Sequence, residues 1–294
     1  MRKKNLEDLV FDKLNYLLLL IIIFLTLYPF YFVLVQSFNE GTSAVTGGAY
    51  FWPSRFTLDN YMDFFDDAKW MRGLGVSVAR TLVGTTIGLV FTCIVSYSLS
   101  FKDLVFRKGY VTLLIISMYF SGGIIPYYVL LKNLHLFNTF WVYVIPGALN
   151  VFFVMVGISF FREIPTELFD SAHVDGANDA VVFFKLVLPV SKPFLATIAL
   201  FLGVEHWNAW FDSAFFVQNK ALKTLSFLMM ELINKNQVTG AMSKAEALAG
   251  GSSTVTPFSI QTAAMVVAVV PIICVYPFLQ KYFVKGIMIG SVKG

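Results

Sequence analysis

Long apolar runs recur along the chain and restrict its fold more than any other feature of the sequence. A helix needs about 20 apolar residues to cross the hydrocarbon core, and backbone groups in lipid must pair within a helix or a closed barrel. The runs therefore predict an all-α polytopic membrane protein with six transmembrane helices in one domain, residues 1–294. The predicted spans are about 16–35, 80–98, 109–131, 141–161, 193–216 and 260–279.

The balance of residue types agrees with a membrane protein. Hydrophobic residues make up 57% and charged residues 14% of the chain, whereas a soluble domain has about 25% charged residues. The net charge of +4 is spread out, without the basic cluster that nucleic acid requires. Cys93 and Cys274 lie within apolar runs, which favours small buried side chains over a disulfide or a metal site.

The distribution of positive charge predicts the orientation. The first apolar run is full-length, so we interpret it as a span and not as a cleavable signal. An even number of spans places both termini on one side. That side carries the basic residues of the N-terminus, of the short segment 102–108, of the loop 162–192 and of the tail 280–294. Because basic residues in short loops stay cytoplasmic, both termini and the loop 162–192 are predicted to be cytoplasmic.

A polar segment, residues 164–189, interrupts the apolar sequence. Pro165 and the acidic residues Glu167 and Asp170 are typical of the start of a helix, and Gly176 can take the left-handed conformation that ends one. A second helix is predicted to begin at Asn178 or Asp179 and to end at Pro189. A helix of about ten residues is marginal alone in water, so we interpret the first one as packed against a partner protein.

The spacing in this segment carries a specific resemblance. Asp170-Ser171-Ala172, three residues, Gly176, nine residues and Leu186-Val187-Leu188-Pro189 resemble the cytoplasmic EAA loop of ABC-importer permeases, which docks into a groove on the ATPase subunit. Ala172, Gly176, Leu188 and Pro189 match that pattern, and Asp170, Ser171 and Leu186 are conservative departures. The resemblance assigns ATPase coupling to Glu167, Asp170, Ser171, Ala172, Asp175, Gly176 and Ala177. An amphipathic loop lying on the membrane surface is the alternative.

Two further segments carry the resemblance. Phe51-Trp52-Pro53 and Phe56-Thr57-Leu58-Asp59-Asn60-Tyr61, in the loop from Gln36 to about Gly75, are similar to the outer loop of sugar-importer permeases of the maltose-transporter type, where the solute-binding protein lands. The residues also suit a loop packed on its own domain with aromatic side chains at the lipid interface, and both interpretations stay open. The tail 280–294 resembles the family's C-terminal ending between the ATPase subunits, and an interfacial tail is equally consistent with it.

Polar groups within the predicted spans indicate where a transported molecule could bind. Such groups are expensive in lipid and usually face a cavity or pathway. The predicted substrate path consists of Glu205, Trp207, Asn208, Trp210, Asn150 and Ser121. Flat rings could cover the apolar face of a sugar while the carboxylate and amide groups bind its hydroxyls. Alternatively, the tryptophans form an interface belt, Glu205 pairs with His206 or with a partner permease, and Gly122-Gly123 allow close helix packing.

Several chemistries lack their motifs. The sequence has no Gly-x-x-x-x-Gly-Lys-Ser/Thr loop and no metal-ligand spacing, and its three histidines are far apart. We therefore predict no catalytic residue, no metal site and no ATP hydrolysis by this chain. An intramembrane enzyme would need a nucleophile or metal set beside Glu205, His206 and Asp212. The two halves of a secondary transporter often show weak sequence similarity to each other, and this sequence has no such repeat.

Taken over nearly the whole chain, the resemblance implies the permease subunit of an ABC importer of oligosaccharides in a bacterial cell membrane. It implies a second permease, two ATPase subunits that use ATP and Mg²⁺, and an extracytoplasmic solute-binding protein as partners, with no cofactor bound by this chain. His206-Trp207-Asn208 and Phe120-Ser121-Gly122-Gly123 suggest the subgroup that handles complex or uronate-containing glycans. A secondary transporter, or an ABC permease for a non-sugar solute, is the alternative.

Overall fold

The structure, a computed structural model, describes residues 6–46, 49–248 and 254–290. In this part the regular elements are helices, and one isolated β-bridge joins Asn39 to Phe56. The helices are α1 Leu6–Ser37, α2 Gly41–Thr46, α3 Asp59–Asp66, α4 Ala68–Ser100, α5 Arg107–Tyr119, α6 Ile124–Asn133, α7 Val151–Phe161, α8 Thr166–Val174, α9 Asp179–Val182, α10 Leu188–Val190, α11 Lys192–Asn208, α12 Phe211–Phe215, α13 Leu225–Leu248 and α14 Pro257–Gly290.

The six predicted spans take three different forms in the structure. Three of them are long apolar helices: Val10–Ser37, Ala68–Ser100 and Pro257–Phe278. Two are bent pairs, α5 with α6 at 119° and Asp179–Val190 with Lys192–Phe215 at 81°. The region predicted as the fourth span, 141–161, contains only the 11-residue helix α7 after a 3-10 turn. By length and composition the described residues give three to five crossings, so the count of six stays a prediction.

Three helices are longer than the apolar runs predicted. α1 begins at Leu6, before residue 16. α4 begins at Ala68, well before residue 80, so the predicted outer loop ends earlier than Gly75. α14 runs on through the segment predicted as a tail, as far as Gly290. The last residues of the predicted tail, 291–294, lie outside the described residues.

The chain divides into two units, of which the first comprises residues 1–68 and 229–270. Its outer loop is organised by Asn60, which is fully buried. The Asn60 amide donates hydrogen bonds to the carbonyl oxygens of Ser37 and Asn39, both at 2.9 Å. The hydroxyls of Ser37 and Tyr61 lie 2.7 Å apart. Burial raises the pKa of Tyr61 and the Ser37 hydrogen bond partly opposes this rise, so the phenol stays protonated at neutral pH.

The second unit comprises residues 69–228 and 271–294, and small side chains set its packing. A stripe of buried small residues follows one side of α4: Gly73, Ser77, Gly84, Gly88, Thr92 and Ser96. Small residues let membrane helices approach closely. A Cβ atom added at Gly84 would lie 2.5 Å from His206 Nε2, and one at Gly88 would lie 3.2 Å from Leu202 Cδ1. The stripe therefore brings α4 into direct contact with α11.

The second helix of the polar segment continues one residue beyond its predicted end. Proline lacks an N–H group, and its ring collides with the carbonyl four residues earlier in an α-helix. Here the residues before Pro189 form a π-helical turn, Phe183–Val187, a form that widens the backbone locally. The helix therefore accommodates Pro189, ends at Val190, and the chain bends at Ser191 into α11.

Candidate functional site

The short helix α8 has the predicted signals at both ends. Pro165 precedes its first residue in an extended conformation, and Glu167 lies in its first turn. At its end Gly176 has φ +82°. The N–H of Gly176 donates to the His173 carbonyl and the N–H of Ala177 donates to the Ala172 carbonyl, both at 3.0 Å. These two bonds form a Schellman motif, which confirms the left-handed conformation predicted for Gly176.

Asn178 starts the helical segment that follows. Its side-chain Oδ1 accepts a hydrogen bond from the N–H of Val181 at 2.9 Å, so Asn178, and not Asp179, is the cap. The Nδ1 atom of His173 lies 3.1 Å from the Ala177 carbonyl oxygen, and its Nε2 lies 3.7 Å from the Asp179 carboxylate. The turn between the two helices is therefore held by side chains as well as by backbone bonds.

The inner face of α8 packs against its own chain. Phe169, Ala172 and Ala177 contact a buried apolar cluster that includes Tyr97. The Phe169 ring lies 6.3 Å from the Tyr97 ring and 6.0 Å from the Phe101 ring, measured between centroids. Tyr97 and Phe101, at the end of α4, therefore hold the inner face of α8. The packing of a partner protein against this helix stays a prediction.

The outer face of α8 is open. The predicted coupling residues Glu167, Asp170, Ser171, Asp175 and Gly176 are exposed. Val174 is 87% exposed and Leu168 is 37% exposed. Acidic, hydroxyl and apolar groups thus share one accessible surface. Ala172 and Ala177, also predicted to couple, lie on the inner side instead.

Four residues predicted for the substrate path lie at or just after the end of α11, and they differ in exposure. Glu205, Asn208 and Trp210 are exposed. Trp207 is 7% exposed, and its backbone carbonyl accepts a hydrogen bond from the Ser226 hydroxyl at 2.6 Å. In this structure the ring of Trp207 therefore packs inside the protein and is not available to a ligand.

The two remaining predicted residues have local roles. Asn150 caps α7, since its Oδ1 accepts a hydrogen bond from the N–H of Phe153 at 3.3 Å. Ser121 lies in the break between α5 and α6, where its hydroxyl accepts a hydrogen bond from the N–H of Gly123 at 3.3 Å. Gly123 has φ +81°, which only glycine adopts readily. Within the described residues, neither side chain is hydrogen-bonded to the group at the end of α11.

A buried arginine lies beside the end of α11 and was not among the residues predicted from the sequence. Arg80 is 3% exposed, and its guanidinium donates to the Asp212 carboxylate at 2.5 Å and to the Ala209 carbonyl at 2.9 Å. The same guanidinium lies over the Tyr143 ring, 4.7 Å from the ring centroid. The signal was hidden because the predicted span began at residue 80, whereas α4 begins at Ala68 and places Arg80 inside a long apolar helix, where its charge needs buried partners.

The chain is similar to known bacterial proteins along nearly its whole length. No family model matches the chain. The protein LplC of Bacillus subtilis is 36% identical over 97% of this chain and 95% of its own length. The polygalacturonan/rhamnogalacturonan transport system permease protein YtcP of Bacillus subtilis is 35% identical over 98% of this chain and 100% of its own length. In solved structures, a chain of a bacterial ABC transporter that imports the acidic polysaccharide alginate superimposes with a TM-score of 0.87 at 24% identity, over 96% of this chain and 100% of that one.

The helices and these matches define a polytopic membrane permease with the ABC-importer permease fold. The chain belongs to the family of carbohydrate ABC-transporter permease subunits. The predicted family and fold class are thereby confirmed. The chain is a transport subunit and not an enzyme, because ATP hydrolysis in this family is carried by separate ATPase subunits.

Proposed function

We propose that this permease moves oligosaccharide fragments of uronate-containing glycans and is driven through α8 by ATPase subunits in the cytoplasm. The construction of α8 carries the proposal: its inner face is anchored on the spans and its outer face is open. The substrate class is supported by the 35% identity to YtcP along nearly the whole chain. The basic residues near both termini support their cytoplasmic placement.

The anchored inner face gives α8 a mechanical role. Phe169 and Ala172 join it to the cluster that also contains Tyr97 of α4 and Phe194 of α11. A packed cluster of this kind moves as a body, because interiors are close-packed. When two ATPase subunits bind ATP and Mg²⁺ and close, a groove that holds the outer face would carry α8 with it. The motion then reaches α4 and α11, together with the corresponding helices of a second permease.

The outer loop supplies the proposed landing surface for the solute-binding protein. The buried Asn60 amide fixes the loop on the end of α1, while Trp52 is 79% exposed and Phe51 is 56% exposed. Exposed aromatic side chains on a fixed support are typical of protein interfaces. The same side chains suit the lipid interface, and the loop can serve both purposes.

The end of α11 is the proposed sugar-facing surface of this subunit. Glu205 and Asn208 are three residues apart and so lie on one side of the helix, with the exposed ring of Trp210 after them. The carboxylate and the amide suit sugar hydroxyls, and the ring suits the apolar face of a sugar. A carboxylate repels a uronate, so the cation that neutralises an acidic substrate would come from the second permease.

The test uses the complex captured from mild detergent with this chain as bait. Its ATPase activity is measured with the solute-binding protein and oligogalacturonides, their carboxyl-reduced counterparts or neutral arabino-oligosaccharides. Stimulation by oligogalacturonides and not by the reduced counterparts supports the proposal. Equal stimulation by charged and reduced forms would show a neutral-sugar importer, and recovery of the chain without any ATPase would overturn the coupling role of α8.

Glu205 allows a finer test in the same assay. Glu205→Gln removes the negative charge but keeps the shape, so we expect uptake of oligogalacturonides to rise relative to the reduced forms. The matched control is Glu163→Gln, since Glu163 is also an exposed carboxylate but lies between α7 and α8, outside the group at the end of α11. An unchanged ratio for Glu205→Gln would remove this residue from the substrate path.

A further inference from the structure

The break between α11 and α12 has no explanation in the local sequence. α11 ends at Asn208 and α12 begins at Phe211. Between them Ala209 is extended, with φ −70° and ψ 118°. Residues 205–216 contain neither glycine nor proline, and alanine is the strongest helix former. A contact from elsewhere in the fold must therefore hold the chain out of the helix at this point.

Arg80 of α4 makes that contact on both sides of the break. One terminal nitrogen donates to the carbonyl of Ala209, where the chain leaves α11, and the other donates to Asp212 in the first turn of α12. The carbonyl of Ala209 would otherwise be an unpaired group within an apolar segment. One side chain thus satisfies the free carbonyl and ties it to the helix that follows.

The ring of Tyr143 also holds the guanidinium group of Arg80 in place. The Arg80 Cζ atom lies 4.7 Å from the centroid of the Tyr143 ring, and the Tyr143 hydroxyl donates to the Leu222 carbonyl at 2.7 Å. Tyr143 is 2% exposed. The Nε atom of Arg80 is buried without a hydrogen-bond partner in the described part of the chain. Two directed bonds and one ring contact therefore orient the group, although one donor stays unpaired.

Only arginine suits this arrangement. Its planar fork presents two donors in fixed directions and a flat face for the ring, whereas lysine is a single point charge. A charge at 3% exposure in a membrane helix is expensive unless it is paired, and such residues usually mark functional sites. The bridge joins residues 132 positions apart in sequence.

From these contacts we infer that Arg80 is a positioning residue for transport. By holding the break open it fixes Asn208 and Trp210, the two residues on either side of Ala209. The inference rests on the proposed function, in which both of these residues face the sugar. Arg80 itself is too deeply buried to contact a substrate in this structure, so it acts through the backbone at Ala209.

The experiment uses the full complex with Cys93→Ala and Cys274→Ala in this chain. Asn208→Cys is added, and the rate of its labelling by a membrane-impermeant maleimide is measured with Arg80 intact, with Arg80→Gln and with Asp212→Asn. Sugar uptake is measured in parallel without the Asn208 substitution. The matched control is Lys235→Gln, which breaks an exposed ion pair to Glu231 of 2.9 Å.

We expect both Arg80→Gln and Asp212→Asn to change the labelling rate several-fold and to raise the KM for uptake about tenfold, because a small displacement of a binding group weakens binding strongly. The maximal rate and the yield of assembled complex should change less than the KM. Arg80→Lys, which can satisfy one acceptor but not both, should give an intermediate KM. Lys235→Gln should match the unsubstituted complex.

The outcomes separate this inference from the proposed function. If the complexes with Arg80 and with Arg80→Gln have the same labelling rate and the same KM, Arg80 has no positioning role. The proposed substrate path is not affected by that result. Absence of labelling at position 208 with Arg80 intact would overturn the substrate path itself. If Arg80→Gln fails to assemble, the labelling rates and KM values of Asp212→Asn and Arg80→Lys test the positioning role instead. A yield that falls without any change in KM in those two variants shows a purely structural role and refutes the inference.

Discussion

Replacement of Phe169 by alanine should uncouple ATP hydrolysis from transport. Phe169 makes two ring contacts, to Tyr97 and Phe101, and an aromatic pair contributes about 0.5–1.5 kcal/mol. Their loss weakens the docking of α8 by about 1–3 kcal/mol. Since 1.4 kcal/mol changes an equilibrium constant tenfold, the ratio of docked to undocked α8 falls by roughly 5-fold to 140-fold. A nine-residue helix does not hold itself together without that support.

The assay is ATP hydrolysis and sugar uptake by the same complex in liposomes, with the solute-binding protein present. In Phe169→Ala the ATP consumed per sugar should rise, and stimulation of hydrolysis by substrate should fall. Phe169→Leu, which keeps most of the apolar volume, should recover much of the coupling. Phe106→Ala removes a ring that is 79% exposed and serves as the control. Tight coupling in a well-assembled Phe169→Ala complex would refute the mechanical role of the cluster.

Three further predictions concern single positions. Gly176→Pro should uncouple transport, because proline cannot adopt φ +82° and loses the N–H that bonds His173; Gly176→Asn, which tolerates this conformation, should retain coupling in the same assay. Asn60→Leu removes two hydrogen bonds of about 1 kcal/mol each, so stimulation by the solute-binding protein should weaken, and full stimulation would contradict the role of the loop. Gly84→Ala should destabilise the detergent-solubilised protein by about 1–3 kcal/mol through overpacking against His206; His206→Ala should relieve this, and additive losses in thermal stability would count against that contact.

Local signals in the sequence were sufficient for the elements that depend on local physics. Apolar runs marked α1, α4 and α14, although the 24-residue α13 fell outside the predicted spans. Glycine at position 176 marked the end of α8, because few other residues adopt that conformation. The spacing from Asp170 to Pro189 was enough to indicate the family. These features depend on residues that are close together in the chain.

Features that depend on distant contacts could not be predicted in this way. The extended conformation of Ala209 contradicts its propensity and is held by Arg80, which is 129 positions away. Trp207 was grouped with exposed neighbours because its type suits a sugar, but its position on α11 turns it inward. The residues 141–161 are apolar enough for a span, yet only half of them form an α-helix, since apolarity does not fix where a helix starts.

The bend between α5 and α6 has a consequence for how the cell must make this protein. No residue of α5 is buried within the described part of the chain, and in that part the N–H groups of Ser121 and Gly122 form no hydrogen bond. Lipid does not tolerate bare backbone unless protein or water covers it. A copy synthesised without the second permease proposed above would therefore leave these backbone groups uncovered in the bilayer. Its lifetime in the cell should depend on prompt assembly.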